Sequence, residues 1–541
     1  MRKIMILLAS VFSCAGALRA QNLDPTIEVS REYEGKLIEV HKPSIEMAVP
    51  DSLYRFDLGF DYSVFENPYK GSYEFIPYMT EMRPSSGVRS GKSFYLRAGA
   101  GYTLHPTLDL LWSPVQDKPF TLDVYAEHDS YVGEYRAIGQ NPSWNGYDLL
   151  SKAGADLGYD WKKACLDFGA SYYGIADKDY RRSRAYNAVD AYAVLKSKRP
   201  WPEYFMYELS FSYRFAVENN ALYPDALKSN NVKADLTLGP NFRRVGKLLF
   251  DIGAEVDTYA GAEAGTISRF YLVPHYVFEK GRLKIDAGVR ISALANADKG
   301  QLLYPDVKVN LAVIPDAMKL YLNVGGGDKI NTYSSLLEKN HHLDMSYGSN
   351  GLGSVVGATV ERVSAVVGLV GRITNFFSYD IRGGYVNYGN APLEAVAAVA
   401  GDMLLPALSY TSYQKCFAAI DWDLNVQNFR FDGTMEYTRS WNMQSDLALA
   451  PSALTGNAAV SYDWNKRILA GVDCEFATSR TSVTGFTMLG YADLGVSAEY
   501  VMNKKISFWL RGGNLLNMEI QRNLLFAEKG INFTAGICLS F

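Results

Sequence analysis

Residues 205–217 read Phe205-Met206-Tyr207-Glu208-Leu209-Ser210-Phe211-Ser212-Tyr213-Arg214-Phe215-Ala216-Val217. Phe205, Tyr207, Leu209, Phe211, Tyr213, Phe215 and Val217 share one parity, and Met206, Glu208, Ser210, Ser212 and Arg214 share the other. Successive side chains on a strand point to opposite faces, so the stretch predicts a strand with one oily and one wet face. The pattern recurs along the chain. Leu283, Ile285, Ala287, Val289 and Ile291 alternate with Lys284, Asp286, Gly288, Arg290 and Ser292. Leu248, Phe250, Ile252, Ala254 and Val256 alternate in the same way with Leu249, Asp251, Gly253, Glu255 and Asp257.

A soluble sandwich would also alternate, but its strands are shorter. The segments here run roughly 10 to 13 residues, against about 5 to 6 for a soluble strand and about 9 to 11 for a tilted membrane-crossing one. The wet face repeats charges and glycines, as a polar lumen would. Lumen-facing candidates are Arg97, Asp123, Glu127, Lys152, Asp156, Arg214 and Asp251; their mixed signs predict a polar interior without strong ion selection. Tyr159, Trp161, Tyr172, Tyr500 and Trp509 sit near segment ends, where amphipathic rings would mark lipid–water boundaries.

The links between segments sort by length. One set is tight, as at 162–163, 280, 374–375, 465 and 503–504. The other is mostly long, as at 132–145, 177–186, 329–358, 389–409, 440–455 and 515–529. Short turns on one side and long loops on the other suit a membrane barrel, and a sandwich has no reason to sort them so. The fold class is therefore all-β: a transmembrane antiparallel up-and-down β-barrel of about 22 strands over 93–541, preceded by a short irregular N-terminal segment.

Composition is consistent with this. The 541 residues carry 54 basic and 58 acidic side chains, too near neutral for a nucleic-acid binder that neutralises phosphates. Six His and five Cys argue against a zinc or thiol enzyme. Residues 1–20 read as a signal peptide: Arg2 and Lys3, then the apolar run Ile4 to Phe12, then Ala20 before Gln21. Val11-Phe12-Ser13-Cys14 offers an alternative, a lipid-attachment site at Cys14. The four later cysteines, Cys165, Cys416, Cys474 and Cys538, show no close spacing that would predict a disulfide framework.

Residues 21–92 form a separate N-terminal periplasmic or lumenal segment. Prolines at 25, 43, 50, 68, 77 and 84 break regular structure, and its many aromatics make it too sticky for a free linker. An empty barrel of this size would be a large hole, so occlusion by this segment, by inward loops or by a partner subunit is expected.

No catalytic or cofactor-binding constellation stands out, and the protein reads as a non-enzyme. His341-His342 with Glu338 and Asp344 could be metal ligands, but no third ligand has a fixed spacing, so no metal site is assigned; an exposed polar loop tip accounts for them. Asp177, Asp179, Arg181, Arg182 and Arg184 read as a solvated charged loop. Gly325-Gly326-Gly327 reads as a bend or close backbone contact. Leu393 to Leu408 is the main apolar stretch of the outer loops, folding inward, meeting a partner or buried in its own loop cluster.

The last segment, Gly530 to Phe541, alternates without a break. Phe533, Ile537, Leu539 and Phe541 resemble the C-terminal assembly signal of outer-membrane barrels. The preceding Leu510-Arg511-Gly512-Gly513-Asn514-Leu515-Leu516-Asn517, a loop and this closing strand resemble the C-terminal region of TonB-dependent receptors. The resemblance implies a 22-strand barrel in the outer membrane. It also implies outer-membrane lipid, the barrel assembly machinery, and either a TonB-type energy complex or a partner lipoprotein as partners. The function it implies is solute uptake; the alternative is a non-transporting structural or accessory subunit of a larger complex. Residues 21–92 are too few for that family's plug domain, so a plugless relative is expected. Thr26-Ile27-Glu28-Val29 loosely resembles a TonB-contact peptide.

Overall fold

The computed structural model describes residues 93–541 apart from 103, 116–118, 139–140, 181, 199–204, 243–245, 263, 298–299, 301, 316, 346–353 and 399–403. The signal peptide, the segment 21–92 and the peptide Thr26 to Val29 lie outside the described residues.

Twenty-two antiparallel strands form one closed sheet. Each pairs with its sequence neighbour, and the first strand, Phe94–Tyr102, pairs with the last, Asn532–Ser540. The seam runs in continuous register from Tyr95↔Ser540 to Tyr102↔Phe533. Closure leaves no sheet edge, which lipid would otherwise leave unsatisfied. At the seam Gly99 faces Gly536, and a Cβ on either would strike the Trp509 ring. No helix among the described residues is long and apolar enough to cross a membrane.

The period-two pattern explains which face is which. Leu209, Phe211, Tyr213 and Phe215 are exposed on the outside of Phe205–Asn220, and Phe168, Val189, Ile252, Phe270 and Val367 are exposed on other strands. This is the apolar band that lipid requires. Ile531, Phe533 and Phe541 of the closing segment join it. Trp161, Tyr172 and Tyr500 are also exposed, as expected for boundary rings. Trp509 is not: it is buried and holds the Arg97 guanidinium 4.2 Å from its ring centroid. Its odd parity, opposite the exposed Phe508 and Leu510, turns it inward.

The turns at one end are tight. Gly281, Gln427, Asn465 and Lys466 take left-handed φ values of 62°, 54°, 55° and 56°, as two-residue hairpins demand. Gly325-Gly326-Gly327 is a β-bulge, where the register against Gly357–Ile373 shifts. All four later cysteines lie on strands as free thiols.

The other end departs from expectation in one place. The loop expected at 389–409 is mostly strand: Phe377–Ala398 and Leu404–Val426 form a hairpin of 22- and 23-residue strands, paired as far as Ala398↔Leu404. Here Ala391, Leu393, Ala395 and Val396 are all buried, so both faces are covered. A strand buried on both faces reads as a continuous apolar run rather than an alternation. Leu393 and Val396 of this stretch are thus buried within the protein's own loop cluster, Val396 against Leu449, Leu524 and Met488 and Leu393 against Tyr413 and Ala448.

Candidate functional site

At the long-link end, the segment after Met318–Asn331 turns into the barrel instead of out to solvent. Thr332 caps a short helix, Tyr333–Leu337, by accepting a hydrogen bond from the Ser335 amide at 3.1 Å. Tyr333, Leu336, Leu337, Leu343 and Met345 then bury against Tyr173, Ile175, Tyr186, Ala188 and Ala216 of the wall. Those wall residues have the parity opposite to the exposed Phe168, Tyr172, Val189 and Phe215, so they line the interior. The loop 329–358, expected at the surface, is therefore an inward plug in its first half. Tyr333 Oη donates to Glu218 at 2.5 Å, its amide donates to Tyr259 Oη at 3.1 Å, and the Tyr186 and Ser334 hydroxyls share a hydrogen bond of 2.5 Å.

Two buried arginines fasten this loop. Arg184 grips both oxygens of Asp177, at 3.1 and 2.9 Å, and donates to the carbonyls of His341 and Leu343. Arg182 donates to the His342 carbonyl at 2.7 Å and pairs with Asp177 and Asp179, both at 3.4 Å, and with Asp344. Neither guanidinium reaches solvent. The charged loop expected at 177–186 is therefore a desolvated clamp. The carbonyls that satisfy it come from a distant segment, which no local pattern could announce. Arg181 lies outside the described residues.

The histidine cluster also differs from the sequence expectation. Glu338 turns to Arg214, 2.9 Å away, and Asp344 to Arg182. Asp148, on the wall strand Trp144–Asp160, takes their place: His341 Nε2 lies 2.6 Å from its carboxylate. One ligand atom from each of Asp148, His341 and His342 fits within 4.8 Å of the others. Burial pulls the His341 imidazole down, but the Asp148 carboxylate outweighs it and holds the group above its ordinary value. His342 is pushed well below its ordinary value, first by burial and then by the neighbouring His341.

A second loop, between Ile506–Gly513 and Asn532–Ser540, also turns in. Asn514 and Asn517, the ends of the Asn-Leu-Leu-Asn stretch, take left-handed φ values of 47° and 51°. Asn514 Nδ2 donates to the Met518 and Lys529 carbonyls at 2.9 and 3.0 Å, and its Oδ1 accepts from the Met518 amide. Arg522 anchors the loop to Glu475 and Asp493 of the wall strands and pairs with Glu528 within the loop. Ile520, Leu524, Leu525, Phe526 and Ala527 are buried. Phe526 packs with Tyr135 and Trp144 and stacks on His342.

The long hairpin supplies the last element. Glu394 accepts from Arg480 at 2.6 Å, from Asn340 Nδ2 at 3.2 Å and from the Leu524 amide at 3.4 Å. Loops from four parts of the chain thus interlock over the mouth.

The seven charged strand positions do not form one constellation. Arg97 stacks on Trp509, Asp123 accepts from Ser113 at 2.5 Å, and Glu127 pairs with Lys152 at 3.9 Å. Asp156 accepts from Tyr192 at 2.6 Å, and Asp251 accepts from Thr237 at 2.6 Å beside His275. Arg214 reaches the inward loop, bridging Asp190 and Glu338.

The architecture has known counterparts. The siderophore receptor PirA of Acinetobacter baumannii superposes with a TM-score of 0.61 at 11% identity, covering 83% of this chain and 80% of that one. A mutant of the ferric enterobactin receptor of Pseudomonas aeruginosa gives 0.59 at 10%, with the same coverage. The copper transporter OprC gives 0.61 at 11%, again over 83% and 80%. No protein-family profile matches the sequence, and no curated protein matches it.

Proposed function

We propose that the protein, whose barrel of 22 strands has the fold of the TonB-dependent receptors, carries a solute inward across the outer membrane through a lumen that its own loops hold shut at rest. The observation that carries this reading is the inward loop 332–345, buried against the interior wall and clamped by Arg182 and Arg184. Uptake receptors of this shape take their driving force from a TonB-type complex, and residues 21–92 are the stretch we assign to that contact. Arg97, Asp123, Glu127, Lys152, Asp156, Arg214 and Asp251 are assigned to the lumen lining, on the strength of their parity opposite the exposed apolar residues.

The interlocked mouth also favours a second reading, a permanently closed accessory subunit in a larger assembly. Single-channel recording in planar bilayers separates the two. Wild-type protein should be silent, and replacing 333–344 with a short Gly-Ser bridge should produce large, persistent steps. If the bridged variant folds and stays silent, uptake fails and the closed-subunit reading stands. Removing 21–92 from the bridged variant then tests whether that segment narrows the path further.

A further inference from the structure

We propose that Asp148, His341 and His342 form a resident site for a divalent metal ion of the zinc class, which ties the inward loop to the barrel wall.

The donor set comes first. Two imidazoles and one carboxylate, completed by a water, form the nitrogen–oxygen arrangement zinc takes with three protein ligands. Thiolate and thioether ligands are absent from the trio, so soft ions have no special advantage, and imidazoles do not suit calcium or magnesium. The three ligand atoms already lie within 4.8 Å of one another. His341 Nε2 and Asp148 Oδ2 are in contact at 2.6 Å. The second carboxylate oxygen, Asp148 Oδ1, is buried and meets no hydrogen-bond partner among the described residues. A buried carboxylate oxygen without a partner costs desolvation energy that a metal would recover.

The surroundings support the trio in two ways. The backbone carbonyls of His341 and His342 are gripped by Arg184 and Arg182, which fixes the direction of the loop beneath both rings. Phe526 lies flat on His342 and limits its rotation. Such outer supports are what orient metal ligands. Asp177, Asp179, Glu218 and Asp344 gather four carboxylates around the guanidiniums of Arg182 and Arg184, and Asp148 adds a fifth beside His341. Buried charges need compensation, and a dication between the loop and the wall would supply it. On binding, the proton shared between His341 and Asp148 is released to solvent, since ligating histidine is neutral.

The ligands come from different parts of the fold, one from a wall strand and two from the plugging loop. The metal therefore acts as a fastener for that loop. The inference is independent of uptake, because binding is read without any conductance measurement.

The test uses full-length protein without a histidine tag, purified in detergent and stripped with a chelator. Zinc is titrated in competition with a chromophoric chelator, with magnesium as the control. One zinc per chain is expected, no magnesium, and binding about 100-fold weaker in His341→Ala and in His342→Ala. Zinc should also slow proteolytic cleavage within 332–345 by about tenfold in wild type only. Heat-modifiable gel mobility checks that each variant keeps its barrel. Asp148→Asn, which preserves shape, serves if an alanine variant does not fold, and it should lose affinity similarly. Folded wild type that binds no zinc overturns the proposal. So does zinc binding that survives His341→Ala and His342→Ala, or a cobalt-substituted protein without the visible bands of four-coordinate nitrogen–oxygen ligation.

Discussion

His342 lies flat on Phe526, with ring centroids 4.1 Å apart and planes 2° from parallel. The two residues belong to different inward loops, so this stack is where those loops meet. Phe526 also meets Trp144 of the wall edge-on, at 6.2 Å. One ring thus ties both loops to a strand.

Phe526→Ala should loosen both loops at once. Removing a buried phenylalanine costs about 3 to 5 kcal/mol, and the lost stack is part of that. Limited proteolysis should show faster cleavage in 332–345 as well as in 514–531, with heat-modifiable mobility retained. Cleavage confined to 514–531 would show that the stack does not couple them.

Arg184→Met should free the inward loop by removing one of the two cations that hold Asp177 and the cation beside Glu218, at a cost of up to about 3 to 5 kcal/mol. Hydrogen exchange across 332–345 should accelerate. Arg184→Lys should not restore protection, because an ammonium cannot reproduce the forked contact with both Asp177 oxygens. Exchange equal to wild type in the lysine variant would mean that charge alone holds the loop.

Phe211→Arg and Ser212→Arg place the same charge one residue apart on opposite faces of Phe205–Asn220. Phe211 is exposed in the apolar band, so its substitution should cost about 2 to 4 kcal/mol if it lies near mid-bilayer. Ser212→Arg should cost far less. Urea titrations of refolding into lipid vesicles measure the difference, and equal costs would contradict the assignment of faces.

Glu528 gives a pH dependence. Burial is the leading cause that raises its carboxyl above the ordinary 4.5, with Arg522 opposing. A folded value above the unfolded one means that Glu528 favours the docked loop below about pH 4.5, and that this contribution disappears as pH rises through the raised value. Protection of 514–531 in wild type, relative to Glu528→Gln, should therefore fall as pH increases from 4.5. The opposite slope would show that the Arg522 pairing dominates.

The barrel was legible in the sequence because its wall obeys one rule. Wherever one face meets lipid and the other does not, as at Leu209 to Phe215, parity reveals the strand and its orientation. The closure of Phe94–Tyr102 on Asn532–Ser540 followed from an even count and a terminal alternating segment. The mouth was not legible, for physical reasons. Leu393 and Val396 are covered on both faces, so alternation vanishes there. Arg182 and Arg184 look solvated because the carbonyls of His341, His342 and Leu343 that satisfy them lie some 160 positions away. Asp148 sits among wall residues, and nothing in its neighbours points to a histidine pair in a distant loop. Trp509 looked like a boundary ring because its terminal position outweighed its parity.

Glu394 carries a mechanical consequence. Its single carboxylate holds Arg480, Asn340 and the Leu524 amide together, so three separate stretches share one keystone. Movement of the hairpin that carries Glu394 breaks all three contacts at once. The gate should therefore release as a unit above a threshold, like a fuse, and not petal by petal; whatever opens it must bring the whole free energy in one event.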